Sequence, residues 1–193
     1  MHVAFDRVVA FDAMPRRLLF AIALLTFALG VQAQDRCSAT GVMAGLKFAA
    51  NNCVAALYGS QHGVSIWFNE DPISAQEAAD FQASGTVDVA KNGQQRTLVL
   101  IMLCPGGGTT KASPAAVKSM GLTTNHAKSV LAGIEWNVKS PKDFKVANMT
   151  GDIVPGGTLA GDLVGRWHKT TWNLSFDVKL PAKDAAIGMD CAK

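Results

Sequence analysis

Histidine, the side chain most used for acid–base and metal chemistry near neutral pH, is scarce in this sequence. Downstream of residue 34 it occurs as His62, His126 and His168. None of these belongs to an H-E-x-x-H or H-x-H motif, which would present two imidazoles to one metal ion. The sequence therefore predicts no metal site and no cofactor, and it identifies no catalytic residue.

The side chains that could act as nucleophiles lack the surroundings that catalysis needs. Residues 63–65 begin a G-x-S-x-G nucleophile elbow at Ser65, but Trp67 stands where the second glycine should be. This segment also alternates like a strand, whereas the elbow is a strand-to-helix turn. A cysteine nucleophile would need an unpaired thiol, and the even number of cysteines argues against one.

Two other motifs have the wrong spacing for binding phosphate or cleaving sugars. Residues 106–111, GGGTTK, lack the four-residue gap that separates the glycines of a phosphate loop, and they predict a flexible loop instead. Glu70 and Asp71 are adjacent carboxylates, whereas a glycosidase pair faces across a cleft about 5–10 Å wide. Asp71 precedes Pro72, and we expect both carboxylate residues to shape the turn into the helix that follows.

Trp67 is the one large aromatic residue that the strand pattern places on a polar face. Alternate residues from Val64 to Phe68 occupy the core face of that strand, so Trp67 falls beside Ser65 on the other face. An exposed tryptophan there would mark a patch that binds a sugar or a partner protein, which makes Trp67 a candidate binding residue. The alternative, which we favour, is that a helix beginning after Ser74 covers it.

All four cysteines lie downstream of residue 34, at Cys37, Cys53, Cys104 and Cys191. No C-x-x-C or C-x-H spacing suggests a metal site, and an even count in an exported protein predicts two disulfides. Of the three connectivities that four cysteines allow, we favour Cys37–Cys53 with Cys104–Cys191.

The elements that must position these residues are mostly strands. Thr171 to Leu180 alternates apolar and polar residues without a break, as in a strand with one buried face. Gly157 to Trp167 alternates as well, and a turn near His168 makes the two a hairpin. Shorter strands are predicted at Val54–Tyr58, Val64–Phe68 and Ile134–Val138.

Gly157, Gly161 and Gly165 are spaced four residues apart, as in a helix-dimerisation motif. Asp162 and Arg166 interrupt the apolar face that such a helix requires. We therefore expect small residues in a strand, at positions where a bulky side chain packs close.

Thr97 to Leu103 is continuously apolar, which predicts a strand buried on both faces. Its second face needs a cover, and a capping box at Ser74 and Glu77 predicts a helix that ends at Gly85. A second short helix is predicted to start at residues 113–114, Ser-Pro, and to end before Gly121. The fold class is therefore mainly β, a single antiparallel β-sandwich or partly open barrel with one or two short helices packed against it.

The N-terminal segment resembles a secretory signal rather than a part of the fold. Arg16 and Arg17 precede the apolar run at residues 18–31, and residues 31–33, Val-Gln-Ala, provide small residues for cleavage. The run is too short to span a bilayer, which needs about 20 residues. We predict an N-terminal extension and cleaved signal peptide at 1–33, with Met14 as the expected start, and one β-rich domain at 34–193.

The composition excludes several classes of protein. With 49% hydrophobic and 17% charged residues the chain is not disordered, and a net charge of +3 is too small for a nucleic-acid surface. We expect no nucleic-acid partner and no membrane attachment after signal cleavage.

The class that remains is a soluble, exported protein of the bacterial type, periplasmic or extracellular, which binds a protein or cell-envelope ligand without catalysis. By analogy of size it would be inhibitor-like. The alternative is a cell-envelope hydrolase whose catalytic site forms only in the fold.

Overall fold

A computed structural model of the chain describes residues 35–43, 45–58, 63–87, 98–105, 109–125, 134–138, 144–167 and 170–186. The strands are β1 (Arg36–Met43), β2 (Leu46–Ala50), β3 (Asn52–Tyr58), β4 (Gly63–Asn69), β5 (Leu98–Pro105), β6 (Val117–Asn125), β7 (Ile134–Val138), β8 (Phe144–Gly151), β9 (Thr158–Trp167) and β10 (Thr170–Lys179), and the helix is α1 (Ala75–Ser84).

The strands form two five-stranded antiparallel sheets. Sheet A has the order β2-β1-β10-β9-β8, and sheet B has the order β3-β4-β5-β6-β7. The chain passes from one sheet to the other at Asn51, between the two edge strands β2 and β3. The sheets share one apolar core, to which Leu174 of sheet A and Ile66 of sheet B contribute fully buried side chains. The mainly β fold with a short helix is confirmed, and its form is a β-sandwich.

Sheet A has one buried face and one exposed face. Along β10, residues from Thr170 to Lys179 alternate strictly between buried and exposed. This strand pairs with β9 in a hairpin and with β1 on its other side, so it lies at the centre of the sheet. The register confirms the predicted strand and its core face, because Trp172 and Phe176 are both buried.

The predicted close packing is confirmed at two of the three glycines, while Gly157 lies just before β9 and faces the backbone oxygens of Asp152 and Val154. A Cβ atom on Gly161 would lie 2.8 Å from the ring of Phe176, and one on Gly165 would lie 2.2 Å from the ring of Trp172. Both glycines are the direct cross-strand partners of these aromatic residues. The glycines of β9 therefore make room for the aromatic rings of β10.

Sheet B is buried on both faces, at least along its central strands. Every residue of β4 is buried, and in β5 the side chains of Val99, Leu100 and Ile101 are buried although they alternate in direction. The prediction for the continuously apolar strand is thus confirmed. On the outer face, Trp67, Leu100 and Phe81 form a second apolar cluster, and Phe81 comes from α1.

Local signals define both ends of α1. The Ser74 side chain accepts a hydrogen bond from the Glu77 backbone N–H, and the Glu77 carboxylate accepts one from the Ser74 N–H, which completes the capping box. At the other end Gly85 has φ 71°, the left-handed conformation that lets its N–H bond to the Phe81 carbonyl. The predicted helix is confirmed at both boundaries.

The prediction of a second helix is wrong. Residues 114–116 form a turn, and β6 (Val117–Asn125) follows at once and runs through Gly121. A Ser-Pro pair followed by a glycine is a local signal, and pairing with the apolar strand β5 outweighs it. Three further strands, β1, β2 and β8, were not predicted either, because their apolar alternation is short or broken.

Candidate binding face

The two outer faces of the sandwich differ in the elements that pack on them. Helix α1 packs on the outer face of sheet B, where it touches β3. In the described part of the chain, no helix or strand lies over the outer face of sheet A. This uncovered face, which is five strands wide, is the candidate binding face.

Short polar side chains line the middle of this face. The register aligns Ser38, Ser175, Asp162 and Asn148 in one row across β1, β10, β9 and β8. The Asn148 side chain donates a hydrogen bond of 2.9 Å to the Asp162 carboxylate. Hydrogen bonds from Asn148 and then from Ser175 hold the pKa of the Asp162 carboxyl below its usual value. The row therefore presents an ionised carboxylate in a fixed orientation.

One end of the face is cationic. Lys47, Lys145 and Arg166 point outward in the two rows nearest the β9–β10 turn, and no carboxylate shares those two rows in the described part of the strands. Lys145 and Arg166 are diagonal neighbours on β8 and β9, and residues in this relation are typically about 7–8 Å apart. The other rows hold the carboxylates Asp162 and Asp177 together with the cations Arg36 and Lys179. The net positive charge of the face is therefore concentrated at the end nearest the β9–β10 turn.

A shallow groove of about 490 Å³ borders the cationic end, where the edge strand β2 meets the end of β4. We call it the edge groove; its lining includes Thr40, Val42, Lys47, Phe48, Ala49 and Glu70. Here the Ala49 backbone N–H donates a hydrogen bond of 2.8 Å to the Glu70 Oε1 atom. The side chain of Glu70, directly after β4, thus occupies a backbone donor on the edge strand of sheet A.

The structure places Trp67 beneath α1. Its side chain is 1% exposed, and its ring centroid lies 5.7 Å from that of Phe81. The indole Nε1 atom is buried and has no hydrogen-bond partner among the residues that the structure describes. Trp67 therefore packs under a helix that begins after Ser74, which is the alternative that the sequence analysis favours. Its binding role stays a prediction, and it would require α1 to move away.

Next to this cluster lies a polar contact that the sequence analysis did not find. The Tyr58 hydroxyl donates a hydrogen bond of 2.7 Å to the Gly85 carbonyl at the end of α1, and it lies 3.1 Å from the Ser65 Oγ atom. Burial raises the pKa of Tyr58 above its ordinary value, against the opposing effect of the Ser65 hydrogen bond. Ser65 is fully buried, so it is a structural residue in this conformation.

The remaining candidates for chemistry do not come together in the described part of the chain. Glu70 binds the Ala49 N–H, while the Asp71 carbonyl accepts a hydrogen bond from Asn69. Neither contact joins the two carboxylates in one cleft. His62, His126 and His168 and the glycines at 106–108 lie outside the described residues, within which no cluster of His, Cys, Asp or Glu could hold a metal ion.

The predicted disulfide between Cys37 and Cys53 is confirmed. It joins β1 of sheet A to β3 of sheet B across a sequence separation of 16. Cys104 is disulfide-bonded as well, and its predicted partner Cys191 lies outside the described residues. Among the described helices, none has the length and apolar character needed to cross a membrane.

These features define a class: an antiparallel β-sandwich with a disulfide between its sheets, one sheet covered by a helix and the other presenting a polar face. Comparisons of this chain with protein-family models, with curated proteins and with solved structures give no match. The function must therefore be inferred from the surface itself.

Proposed function

We propose that this protein is a non-enzymatic, exported binding protein that recognises a protein or cell-envelope ligand through the uncovered face of sheet A. The observation that carries this proposal is the unequal cover of the two sheets. Helix α1 covers apolar side chains of β3, β4 and β5 on the outer side of sheet B, whereas the strands of sheet A display exposed residues such as Thr40, Asn173 and Ser175. A rigid sheet holds these polar groups in fixed positions, which lowers the entropy cost of binding.

The chemistry of the face suits recognition by hydrogen bonds. Short serine, threonine and asparagine side chains lose little conformational entropy when a ligand fixes them. Val164, which is 38% exposed, adds an apolar contact near the centre of the face. The Asn148–Asp162 pair shows that neighbouring side chains are already oriented before a ligand arrives.

Two observations favour binding over catalysis. Ser65 is buried and Glu70 serves as an acceptor for a strand edge, so both are engaged in structure.

The disulfide between the sheets supports export to an oxidising compartment, as does the signal-like segment at 18–33. Export is checked by the intact mass of the secreted protein, which should begin at Gln34. A secreted product that retains residues 18–31 would contradict it.

The binding proposal is tested by retention of envelope components on the immobilised protein from Gln34 onward. Asn173→Arg places a bulky charge at the middle of the face, and Ala79→Arg places the same side chain on the exposed side of α1. We expect the first change to reduce retention of a specific component about tenfold or more, as at the centre of an interface. The matched change on α1 should leave retention unaltered. Equal retention by both variants would contradict a binding role for the face, and turnover of an envelope substrate would favour a hydrolase.

A further inference from the structure

We propose that the uncovered face of sheet A binds an acidic polysaccharide, whose acid groups lie on Arg166 and Lys145 while neighbouring sugar hydroxyls bond to Asp162. The inference rests on the proposed function, because it chooses a polysaccharide of the cell envelope over a protein as the ligand of the same face. It is carried by three outward positions of β9, which hold in turn a carboxylate, an apolar side chain and a cation.

The three positions lie in line along β9. Asp162, Val164 and Arg166 alternate with inward residues such as Leu163, so their side chains lie on the outer face. At about 3.3 Å per residue, the first and third positions are about 13 Å apart. Lys145 pairs directly with Val164 from β8, on the same face. This row suits a polymer that extends along the strand rather than a single small molecule.

The two cations are free to contact a ligand. Lys145 and Arg166 are exposed, and in the described part of the chain neither side chain makes a hydrogen bond or an ion pair. The carboxylate of Asp162, two positions before Val164, bonds to Asn148 instead. A guanidinium presents parallel N–H donors that match a carboxylate or phosphate group. This end of the row therefore favours an anionic group on the ligand.

Asp162 distinguishes a polysaccharide from an acidic protein segment. Hydrogen bonds from Asn148 and then from Ser175 hold the pKa of its carboxyl below the ordinary value, so the group is ionised at neutral pH. An ionised carboxylate accepts hydrogen bonds from sugar hydroxyls but repels a run of further carboxylates. The ligand of this row must therefore carry hydroxyl donors beside its acid groups, as an acidic polysaccharide does.

The scarcity of apolar surface also disfavours a protein partner. Val164 is the one exposed large hydrophobic residue among those that the structure describes. The centres of protein–protein interfaces are more apolar than this and rich in aromatic residues. Around Val164 the face instead exposes Thr40, Thr171 and Asn173, whose hydroxyl and amide groups both donate to and accept from sugar hydroxyls. Val164 itself can contact the C–H groups of a sugar ring.

The test uses the protein from Gln34 onward and three probes. A short galacturonate oligomer carries acid groups and hydroxyls, its methyl ester keeps the hydroxyls without the charge, and polyglutamate keeps the charge without sugar hydroxyls. Binding is followed by backbone amide chemical shifts, which also locate the ligand. We expect the oligomer to shift the amides of Val164 and Arg166, and the other two probes to bind at least about tenfold more weakly.

Variants with equal changes of charge test the two cations. Lys145→Gln combined with Arg166→Gln should weaken binding of the oligomer about tenfold, because it removes charge-assisted hydrogen bonds. Arg36→Gln combined with Lys179→Gln removes the same charge from the opposite end of the face. This control should change binding by less than about twofold, because charges beyond a Debye length are screened.

Asp162→Asn tests the choice between the two kinds of ligand. It removes acceptor capacity for sugar hydroxyls and should weaken binding of the oligomer about threefold. The same change removes a repelling charge, so binding of polyglutamate should become stronger. Stronger binding of both probes would mean that Asp162 acts only as a negative charge, which contradicts its place in a polysaccharide site.

The other outcomes also overturn the inference. Equal binding of the methyl ester would mean that the cations do not recognise the acid, and equal binding of polyglutamate would mean attraction by charge alone. An equal loss in the control pair would mean that no local site exists, and so would the failure of every probe to bind. The comparison of Asn173→Arg with Ala79→Arg uses whole envelope components, so its success would preserve the proposed function in each of these cases.

Discussion

At the scale of single residues, close contacts between rings and glycines organise sheet A. Phe176 lies over Gly161, and on the opposite side its ring meets that of Phe68 in sheet B edge-to-face, with 6.4 Å between centroids. In β1 a Cβ atom on Gly41 would lie 1.9 Å from the Thr171 backbone oxygen and 2.7 Å from the ring of Phe48, its cross-strand partner. Glycine is needed at Gly161 because the aromatic ring uses the volume that a side chain would take, and at Gly41 because the neighbouring backbone leaves no room either.

The first prediction concerns the two faces of β10. Phe176→Ala should lower the free energy of unfolding by about 3–5 kcal/mol, because it removes buried apolar contacts and leaves a cavity between the sheets. Asn173→Ala, on the exposed face, should change it by less than about 0.5 kcal/mol. Denaturant midpoints measure both effects. The reverse order would mean that the register of this strand is shifted by one residue.

The second prediction concerns Tyr58, the single tyrosine of the chain. Its phenol is buried with a raised pKa, so the ultraviolet absorbance of tyrosinate should appear at a pH above the ordinary value of 10.0. Below that value both the folded and the unfolded states hold the proton. As the pH rises from 10.0 through the folded pKa, the unfolded state loses the proton first, and stability falls.

Tyr58→Phe is the control for this titration, since it removes the ionisable group but retains the ring. The variant should lose less stability than the native protein over the same alkaline range. A native titration at the ordinary pKa, before any unfolding, would show that the phenol is open to water.

At the scale of elements, α1 is held by contacts at both of its ends and along one side. The capping box defines its beginning, Phe81 packs on Trp67, and the Tyr58 hydroxyl bonds the Gly85 carbonyl at its end. Beyond the helix, the Ala186 N–H donates to the Ala83 carbonyl. A ten-residue helix is marginal alone, so these contacts stabilise it.

The third prediction is that the cap and the covered indole act together. Ser74→Ala should cost about 1 kcal/mol, because it leaves a helix N–H without its partner. Trp67→Ala should cost about 3–5 kcal/mol as a core truncation. The double variant should lose less free energy of unfolding than the sum of the two single losses. Without the indole the helix makes fewer contacts with the sheet, so the loss of its cap matters less.

Denaturant midpoints of the four proteins give the coupling energy, and Ser74→Ala combined with Asn173→Ala provides the uncoupled comparison. If Trp67→Ala left the midpoint unchanged, the indole would be exposed in solution, and its role as a candidate binding residue would regain support.

At the scale of the whole molecule, a covalent bond and a shared core hold the two sheets together. The disulfide links Cys37, opposite Phe176 in sheet A, to Cys53, opposite Phe68 in sheet B. It therefore lies beside the place where the two phenylalanine rings meet across the core. The covalent link and the aromatic contact support the same region of the sandwich.

The fourth prediction is the cost of losing this link. Replacing Cys37 and Cys53 together by alanine should reduce the free energy of unfolding by about 3 kcal/mol, as chain entropy predicts for a short loop. Loss of the bond acts mainly on the unfolded state, which expands without it. The slope of the unfolding free energy against denaturant concentration should therefore increase. Thiol labelling of the denatured, unreduced native protein should give no signal. One reactive cysteine per chain would contradict the predicted pairing of all four.

Local rules were sufficient for much of this fold. Side chains alternate in direction along a strand, so a pattern such as that of Thr171–Leu180 determines both the strand and its buried face. The ends of α1 follow from Ser74, Glu77 and Gly85, because caps bond to nearby backbone groups. The need to cover the apolar strand β5 also predicted the place of the helix over Trp67.

Pairing between distant segments was decided by the tertiary structure. Strand β1 has mainly small side chains and lies at the start of the domain, yet it pairs with β10 at its end, and no local pattern specifies such a partner. The same holds for residues 117–125, where pairing with β5 prevails over helix signals. The contact between Ala49 and Glu70 depends on how the two sheets stack. The sequence by itself determined the class of fold and its buried faces, because these follow from local periodicity, while the uncovered face of sheet A arises only when the sheets are assembled.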